Sequence, residues 1–377
     1  MMGWMLPGRT VARCDPDVCR MHRCARNGMM SHARAQDVAV IGAGLAGLAC
    51  AHQLQAAGYA VTLFEQSGMP GGRMCHCAGE RWQCDHGAQY FTARDPAFAA
   101  VVNGWIDIAV AAPWQARVAS WDGTHLRPSQ SALTRYVGVP DMAAPARALA
   151  SHLEIQRHTQ VRALQRSGQR WVVSFAHEAA TRMFDVVLLA VPAPNAVALL
   201  AQVAPGFLSI ARRARMQPAW ALMLHFDAPI DPGYDALFVN TGQLRWVSRN
   251  SSKPGRAGAE TWLLHATAEW SRMHCKASPA HVIASFMPTL AALGLPMPKS
   301  CDAFFWTVAS SDPALQTGCI WDAHLSLGMC GDWLAGGNVE GAWQSGVSLA
   351  QRVSAGDVPH PRVDPARDLG PAHGRRP

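Results

Sequence analysis

The residues Gly42-Ala43-Gly44-Leu45-Ala46-Gly47 set three glycines at the spacing G-x-G-x-x-G. The apolar β run Val38–Ile41 precedes them, and the helical stretch Leu45–Ala57 follows. Gly58 closes that helix, and Tyr59–Phe64 reads as a second strand. In this βαβ setting each glycine has its own task. Gly42 allows the tight turn, Gly44 lets the backbone approach a pyrophosphate, and Gly47 lets helix and strand pack closely. The first-turn amides, around Leu45 and Ala46, and the positive end of the helix dipole then face phosphate. Glu65 stands 18 residues after Gly47, with Gln66 beside it. That is near the spacing of about 20 at which an acid binds an adenosine ribose.

Two further segments favour FAD over NAD as the dinucleotide. In GMPGGRM (68–74), the flexible pair Gly71-Gly72 and then Arg73 can bring backbone and one guanidinium onto a second phosphate face. Far downstream, CGDWLAGGNVEGAWQSG (330–346) puts Asp332 after a strand and opens a helix near Val339. The N-terminus of that helix would offer amides and a positive dipole end to the electron-rich edge of a reduced flavin. A single Rossmann unit for NAD has no need of these distant pieces.

The chain resembles the FAD-dependent amine oxidase-like flavoproteins, and within them the bacterial renalase-like oxidases. The resemblance rests on VAVIGAGLAGLACA (38–51), FEQSGMPGGRM (64–74), DHGAQYFTARD (85–95), LLAVPAPNA (188–196), WVSRNSSKPGR (246–256) and GDWLAGGNVEGAWQSGVSLA (331–350), and spans roughly 36–352. It implies an α/β fold: a Rossmann-type FAD-binding domain of discontinuous segments, with an α+β substrate domain carrying a mixed sheet inserted between them. The expected boundaries are 36–95, 140–205 and 312–355 for the FAD domain, and 96–139 and 206–311 for the substrate domain. The resemblance also implies oxidation of non-standard dihydronicotinamide isomers (2- or 6-dihydro-NAD(P)) to NAD(P)+, with dioxygen reduced to hydrogen peroxide. Two positions depart from the pattern: Phe304-Phe305-Trp306 stands where relatives usually have His-Arg-Trp, and Asn338 where they usually have Arg. A flavin amine oxidase of the same fold, or a non-catalytic FAD-binding module, are the alternatives.

Hydride loss from such a substrate needs no general base. The ring nitrogen is bonded to ribose and carries no proton, so a flavin, orientation and a dry pocket suffice. No residue is therefore assigned as catalytic with certainty; His86 and Gln89 are the candidates. Asp85-His86-Gly87-Ala88-Gln89 is expected to pass the flavin ring, with Ala88 and Gln89 against the cofactor. His86 reads as scaffolding more than as catalyst, and Gln89 as a hydrogen-bond partner for the flavin edge or a substrate carboxamide. Val161 is placed among the cofactor contacts. Trp306 is the first choice for a substrate wall, ahead of Trp220, Trp246, Trp333 and Trp343. Arg245, Arg249 and Asn250 could meet a substrate phosphate or carboxamide. Lys253 is placed in the substrate domain with no catalytic role, and no lysine is evident beside the flavin motifs.

The remaining elements must position these groups. Residues 96–136 read as mixed, with Trp105, Trp114 and Trp121 and several turns. Pro140–Leu153 reads as a helix, Glu154–Gln165 and Arg170–Phe175 as strands, and Asp185–Val191 as a buried strand. Residues 184–211 read as a strand, a turn and a helix. Trp220–Phe226, Leu244–Val247 and Glu260–Ala268 read as strands of a second sheet, Pro279–Leu293 as a helix, and Ala303–Ala309 as another strand. Ser326–Cys330 is a short strand, and Val339–Arg352 a helix.

Composition narrows the function classes. With 377 residues, 49% hydrophobic and 16% charged, and 14 Trp and 11 Phe, the chain has ample core for two or three domains. The net charge of +7 is concentrated at the ends: residues 1–35 hold six Arg against two Asp, and only three Lys occur anywhere. No basic stripe with interleaved aromatics marks nucleic-acid binding. No uninterrupted apolar stretch of about 20 residues marks a membrane span. Eleven Cys, an odd number, fit reduced thiols in a cytoplasmic protein better than a disulfide scaffold. Cys14, Cys19 and Cys24 lack zinc-ribbon spacing; Cys75, Cys77 and Cys84, with His76 and His86, match no zinc pattern either, so no metal is expected. Residues 1–35 and 356–377 read as disordered tails, the first with an alternative start at Met30. The expected partners are the dihydropyridine nucleotide and dioxygen alone; the sequence does not indicate an oligomeric state.

Overall fold

The computed structural model describes residues 35–356. The expected tails and Cys14, Cys19 and Cys24 therefore lie outside the described residues, but for Ala35 and Gly356. Strand β1 (Asp37–Ile41) leads through the glycine turn into helix α1 (Leu45–Ala56), and strand β2 (Ala60–Phe64) returns parallel to β1, with Ile41 opposite Phe64. On its other side β1 pairs in parallel with Val186–Leu189. The six-stranded sheet runs in the order 320–322, 327–329, 186–189, β1, β2, 154–156, and only its 320–322 edge is antiparallel. Strands covered on both faces must be apolar throughout; accordingly Val38, Ala39, Val40, Val187 and Leu188 are fully buried. The helix Val339–Ser354 lies against α1 so closely that a methyl group on Gly346 would overlap the Ala46 carbonyl oxygen.

A seven-stranded sheet follows the order 300–311, 216–226, 260–266, 244–249, 236–239, 118–121, 126–128. It is mixed: 236–239 and 118–121 are parallel, and the other pairs are antiparallel. Its outer face is covered by the helix Pro279–Ala292, which buries Val282, Phe286 and Leu290 against Trp262, Leu264 and Leu222. Among the described residues no helix is long and apolar enough to cross a membrane.

Three local readings change. Residues 154–165 are two strands: Glu154–Gln156 joins β2, His158 turns the chain at φ 54°, and Val161–Ser167 enters a separate three-stranded sheet with Arg170–Phe175 and Thr181–Phe184. Residues 184–211 hold two helices, Ala193–Leu200 and Pro205–Arg213, because Pro205 starts a second helix at its first position. The mixed region after residue 95 opens with the helix Pro96–Asp107. Asp95 caps it by accepting from the amides of Ala97 and Phe98, and Pro96 takes the first turn.

Candidate active site

A cavity of about 1100 Å³ is bordered by both sheets. At one end it meets the N-terminus of α1. Gly44 caps that helix without a side chain, so the first-turn amides have no side-chain acceptor. Gly42 sits at φ 101°, and a Cβ there would come within 2.6 Å of the Ala190 carbonyl oxygen. A Cβ on Gly44 would meet nothing within 4 Å, whereas one on Gly47 would overlap the Gly42 carbonyl oxygen. Gly42, Gly44, Leu45 and Ala46 line the cavity and Gly47 does not. The open side of Gly44 thus faces a ligand space, and Gly47 serves helix packing.

Glu65 and Gln66 line the same end. One Glu65 oxygen accepts from the Ala43 amide at 2.9 Å, and the other from the Ser67 amide and hydroxyl, each at 2.8 Å. Each oxygen has two lone-pair directions, so Oε2 keeps one for a ribose hydroxyl. Gly71, at φ 120°, donates to the Ala43 carbonyl at 2.8 Å and sets Gly72 beside Gly44. Arg73 and Asp332 both reach the cavity, but they form a two-point ion pair with each other. The guanidinium is thereby oriented by Asp332 and by the Ala309 carbonyl at 3.2 Å. Ala88, Val161 and Val339 also line the cavity, and Asn338 caps the last helix by accepting from Gly341 at 2.8 Å.

The seven-stranded sheet supplies the other end: Phe238, Arg245, Trp246, His265, Phe304 and Trp306. Trp306 stacks on His86 at 5.3 Å between centroids and donates its indole N–H to the His86 carbonyl at 2.9 Å. Phe304 meets both rings edge-on and is 42% exposed at the rim. Burial holds the His86 imidazole below its ordinary pKa, and likewise pushes His265 down to about 4. Among the described residues only two carboxylates line the cavity, Glu65 and Asp332, and both are held by protein partners.

The sequence profile of the flavin-containing amine oxidoreductases matches residues 123–354, and that of the NAD(P)-binding Rossmann-like domain matches residues 40–105. The chain belongs to the flavin-containing amine oxidoreductase family. YobN of Bacillus subtilis (strain 168), provisionally named an L-amino-acid oxidase, is 46% identical over 55 residues. That match covers 15% of this chain and 12% of YobN's length. Among solved structures, cyclohexylamine oxidase from Brevibacterium oxydans superposes with a TM-score of 0.69 at 11% identity, over 85% of this chain and 99% of that one. Reduced UDP-galactopyranose mutase gives 0.68 at 13% identity, over 85% and 96%. These likenesses show a shared fold. FAD is the cofactor of this oxidoreductase, and the uncapped α1 terminus, the open Gly44 and the Glu65 carboxylate fit it.

Within this flavoprotein several residues stand apart from their expected places. Arg249 does not line the cavity; its guanidinium spans both oxygens of Glu260, at 2.7 and 3.0 Å. Asn250 is buried outside it, accepting from the Asp85 amide at 3.2 Å and donating to the Gln83 carbonyl at 2.9 Å. Gln89 does line the cavity, yet its side-chain amide is fully engaged. It donates to the carbonyls of Asp85 and Gly87 and accepts from the Ser248 hydroxyl at 2.9 Å and Lys253 Nζ at 3.1 Å. Lys253 also needs correcting: a lysine does stand beside the flavin motifs, buried against Asp85 at 3.0 Å. The Ser-Ser-Lys turn gave no sign of this, because its partner lies 168 residues away. Cys75 packs on His86, and Cys77 on the Met223 sulfur.

Proposed function

We propose that this flavoprotein oxidises 2- or 6-dihydronicotinamide isomers of NAD(P) to NAD(P)+, with dioxygen as the final acceptor. The observation that carries the reading is the wall supplied by the seven-stranded sheet: aromatic rings and one guanidinium, with no free carboxylate among the described residues. A cationic amine would find no counter-ion there. An anionic nucleotide with a planar ring would find Phe304, Trp306 and the partly stacked His86 for the ring and Arg245 for the charge.

Bound FAD supplies the hydride acceptor and the route to dioxygen. The chain's own residues bind and orient. The α1 amides and the Glu65 carboxylate anchor the dinucleotide. The Trp306 and His265 ring nitrogens lie 2.9 and 3.2 Å from the His86 carbonyl and fix the wall segment 86–89. The aromatic walls exclude water. The substrate's ring nitrogen is bonded to ribose, so aromatisation releases hydride and leaves no proton for a base to collect.

The amine oxidase reading keeps support from the family and from relatives named for amine or amino-acid oxidation. Anaerobic titration of the yellow holoenzyme separates the two. Bleaching by 2- or 6-dihydro-NAD(P), and not by primary amines or L-amino acids, is the expected result. Bleaching by an amine alone would overturn the assignment, and bleaching by no compound would favour a non-catalytic FAD-binding module.

A further inference from the structure

Lys253, Arg256 and Asp85 are enclosed together, their side chains 0%, 1% and 1% exposed. Asp85 Oδ2 accepts from both Lys253 Nζ and Arg256 Nη2, and Oδ1 accepts from the Met142 amide at 3.0 Å. Two cations therefore share one carboxylate, and Arg256 Nε finds no partner at all. Neighbouring groups do not restore the balance. Asp141 answers Arg147 and His76, and Glu260 answers Arg249. Burial pushes the Cys84 thiol up, so it stays protonated, and His265, held down at about 4, is neutral at pH 7.

Burial and the neighbouring Arg256 lower the Lys253 pKa, while the Asp85 carboxylate at 3.0 Å favours the ammonium; with Lys253 protonated, the cluster carries one unmatched positive charge. Such a charge opposes folding unless something anionic answers it. One strip of chain separates it from the cavity. Gln89 takes the Lys253 ammonium on its Oε1, while Gly87, Ala88 and Gln89 form the cavity wall; Lys253 itself does not reach the lining. Bound FAD would become anionic when it accepts hydride, and Gly87, Ala88 and Gln89 are among the residues that would hold its ring in the cavity. A hydride moving from the substrate to the neutral flavin ring would leave the substrate one unit more positive and the ring one unit more negative. A fixed cation behind the wall stabilises that product over the oxidised ring.

We propose that Lys253 and Arg256 together hold a fixed positive charge behind the Gly87–Gln89 wall that raises the reduction potential of the bound FAD. Lys253 is thus a positioning residue, and the effect holds whichever substrate donates the hydride. Lys253→Met and Arg256→Met each leave one cation on Asp85, a neutral pair, whereas Lys253→Arg keeps both charges. The midpoint potential of each FAD-loaded protein is read by equilibration with a reference dye, alongside FAD content. Either Met variant should lower the equilibrium constant for two-electron reduction by about tenfold, about 30 mV more negative. Lys253→Arg should stay near the wild-type value. An unchanged potential in both Met variants overturns the proposal. So does loss of FAD from both, which would make the cations purely structural; where only one variant holds FAD, its potential decides.

Discussion

Gly44→Ala and Gly47→Ala differ from each other by three positions and should fail in opposite ways. Gly44 has φ −72° and ψ 173°, a conformation any L residue adopts, and its Cβ would meet no atom within 4 Å. Alanine there should leave the apoprotein at least as stable, since it loses less chain entropy on folding. The same methyl group would stand where the backbone must approach the FAD pyrophosphate. Lengthening even one charged hydrogen bond from the α1 amides costs about 1.5–3 kcal/mol, or roughly 10- to 150-fold in FAD affinity. At Gly47 the methyl group would overlap the Gly42 carbonyl and come 3.0 Å from the Ala190 Cβ. Neither is the end of a flexible side chain, so α1 must move off β1, at about 1–3 kcal/mol or more in stability. Urea unfolding of the apoproteins and FAD fluorescence quenching separate the two outcomes. Native FAD affinity in Gly44→Ala would show that the cofactor does not approach the backbone there.

Glu65→Ala should weaken FAD binding by about 1.5–3 kcal/mol in a quenching titration, because the carboxylate offers its remaining acceptor capacity to the ribose; unchanged affinity would remove it from the site. Arg245→Met should raise KM for the dihydronicotinamide nucleotide by about fivefold with little change in kcat, as suits a solvent-screened charge contact in steady-state assays. His265 has a folded pKa of about 4 against 6.5 unfolded, so the unfolded chain binds more protons between those values. Stability should be complete above pH 6.5 and fall as pH drops toward 4, by about 3 kcal/mol for this ring, and His265→Gln should flatten that part of a thermal-unfolding series. Anaerobic flavin reduction by a dihydronicotinamide isomer should change little between about pH 6 and 9, and His86→Ala should slow it without abolishing it. A tenfold rise per pH unit would instead mark an amine donor.

What could be read along the chain, and what could not, divides by sequence distance. The β1–α1–β2 unit was legible because each of its signals is local: three glycines with separate steric duties inside six residues, and an acid 18 positions on. Its hydrogen bonds are local too, Glu65 reaching Ala43 only 22 residues back. Four strands of the seven-stranded sheet were visible through apolar runs such as Trp220–Phe226, but 236–239, 118–121 and 126–128, which include its parallel pair, were not. The helix Pro96–Asp107 lies in the region that reads as mixed with several turns, although its Asp-Pro start is a local signal. Trp306 does line the cavity, whereas three other residues assigned to substrate are engaged elsewhere in the fold. Arg249, Asn250 and Gln89 have the donors and acceptors that a carboxamide or phosphate would want, but the fold satisfies those atoms first. Gln89 meets Ser248 across 159 residues, and Asn250 meets Asp85 across 165. A side chain's chemistry shows what it can bind; whether its lone pairs are still free depends on partners that only the tertiary fold brings close. Lys253 illustrates the same point in reverse. A lysine in a Ser-rich turn reads as solvated, and its meaning changes only when Asp85 and Arg256 close around it without solvent to screen the sum of their charges.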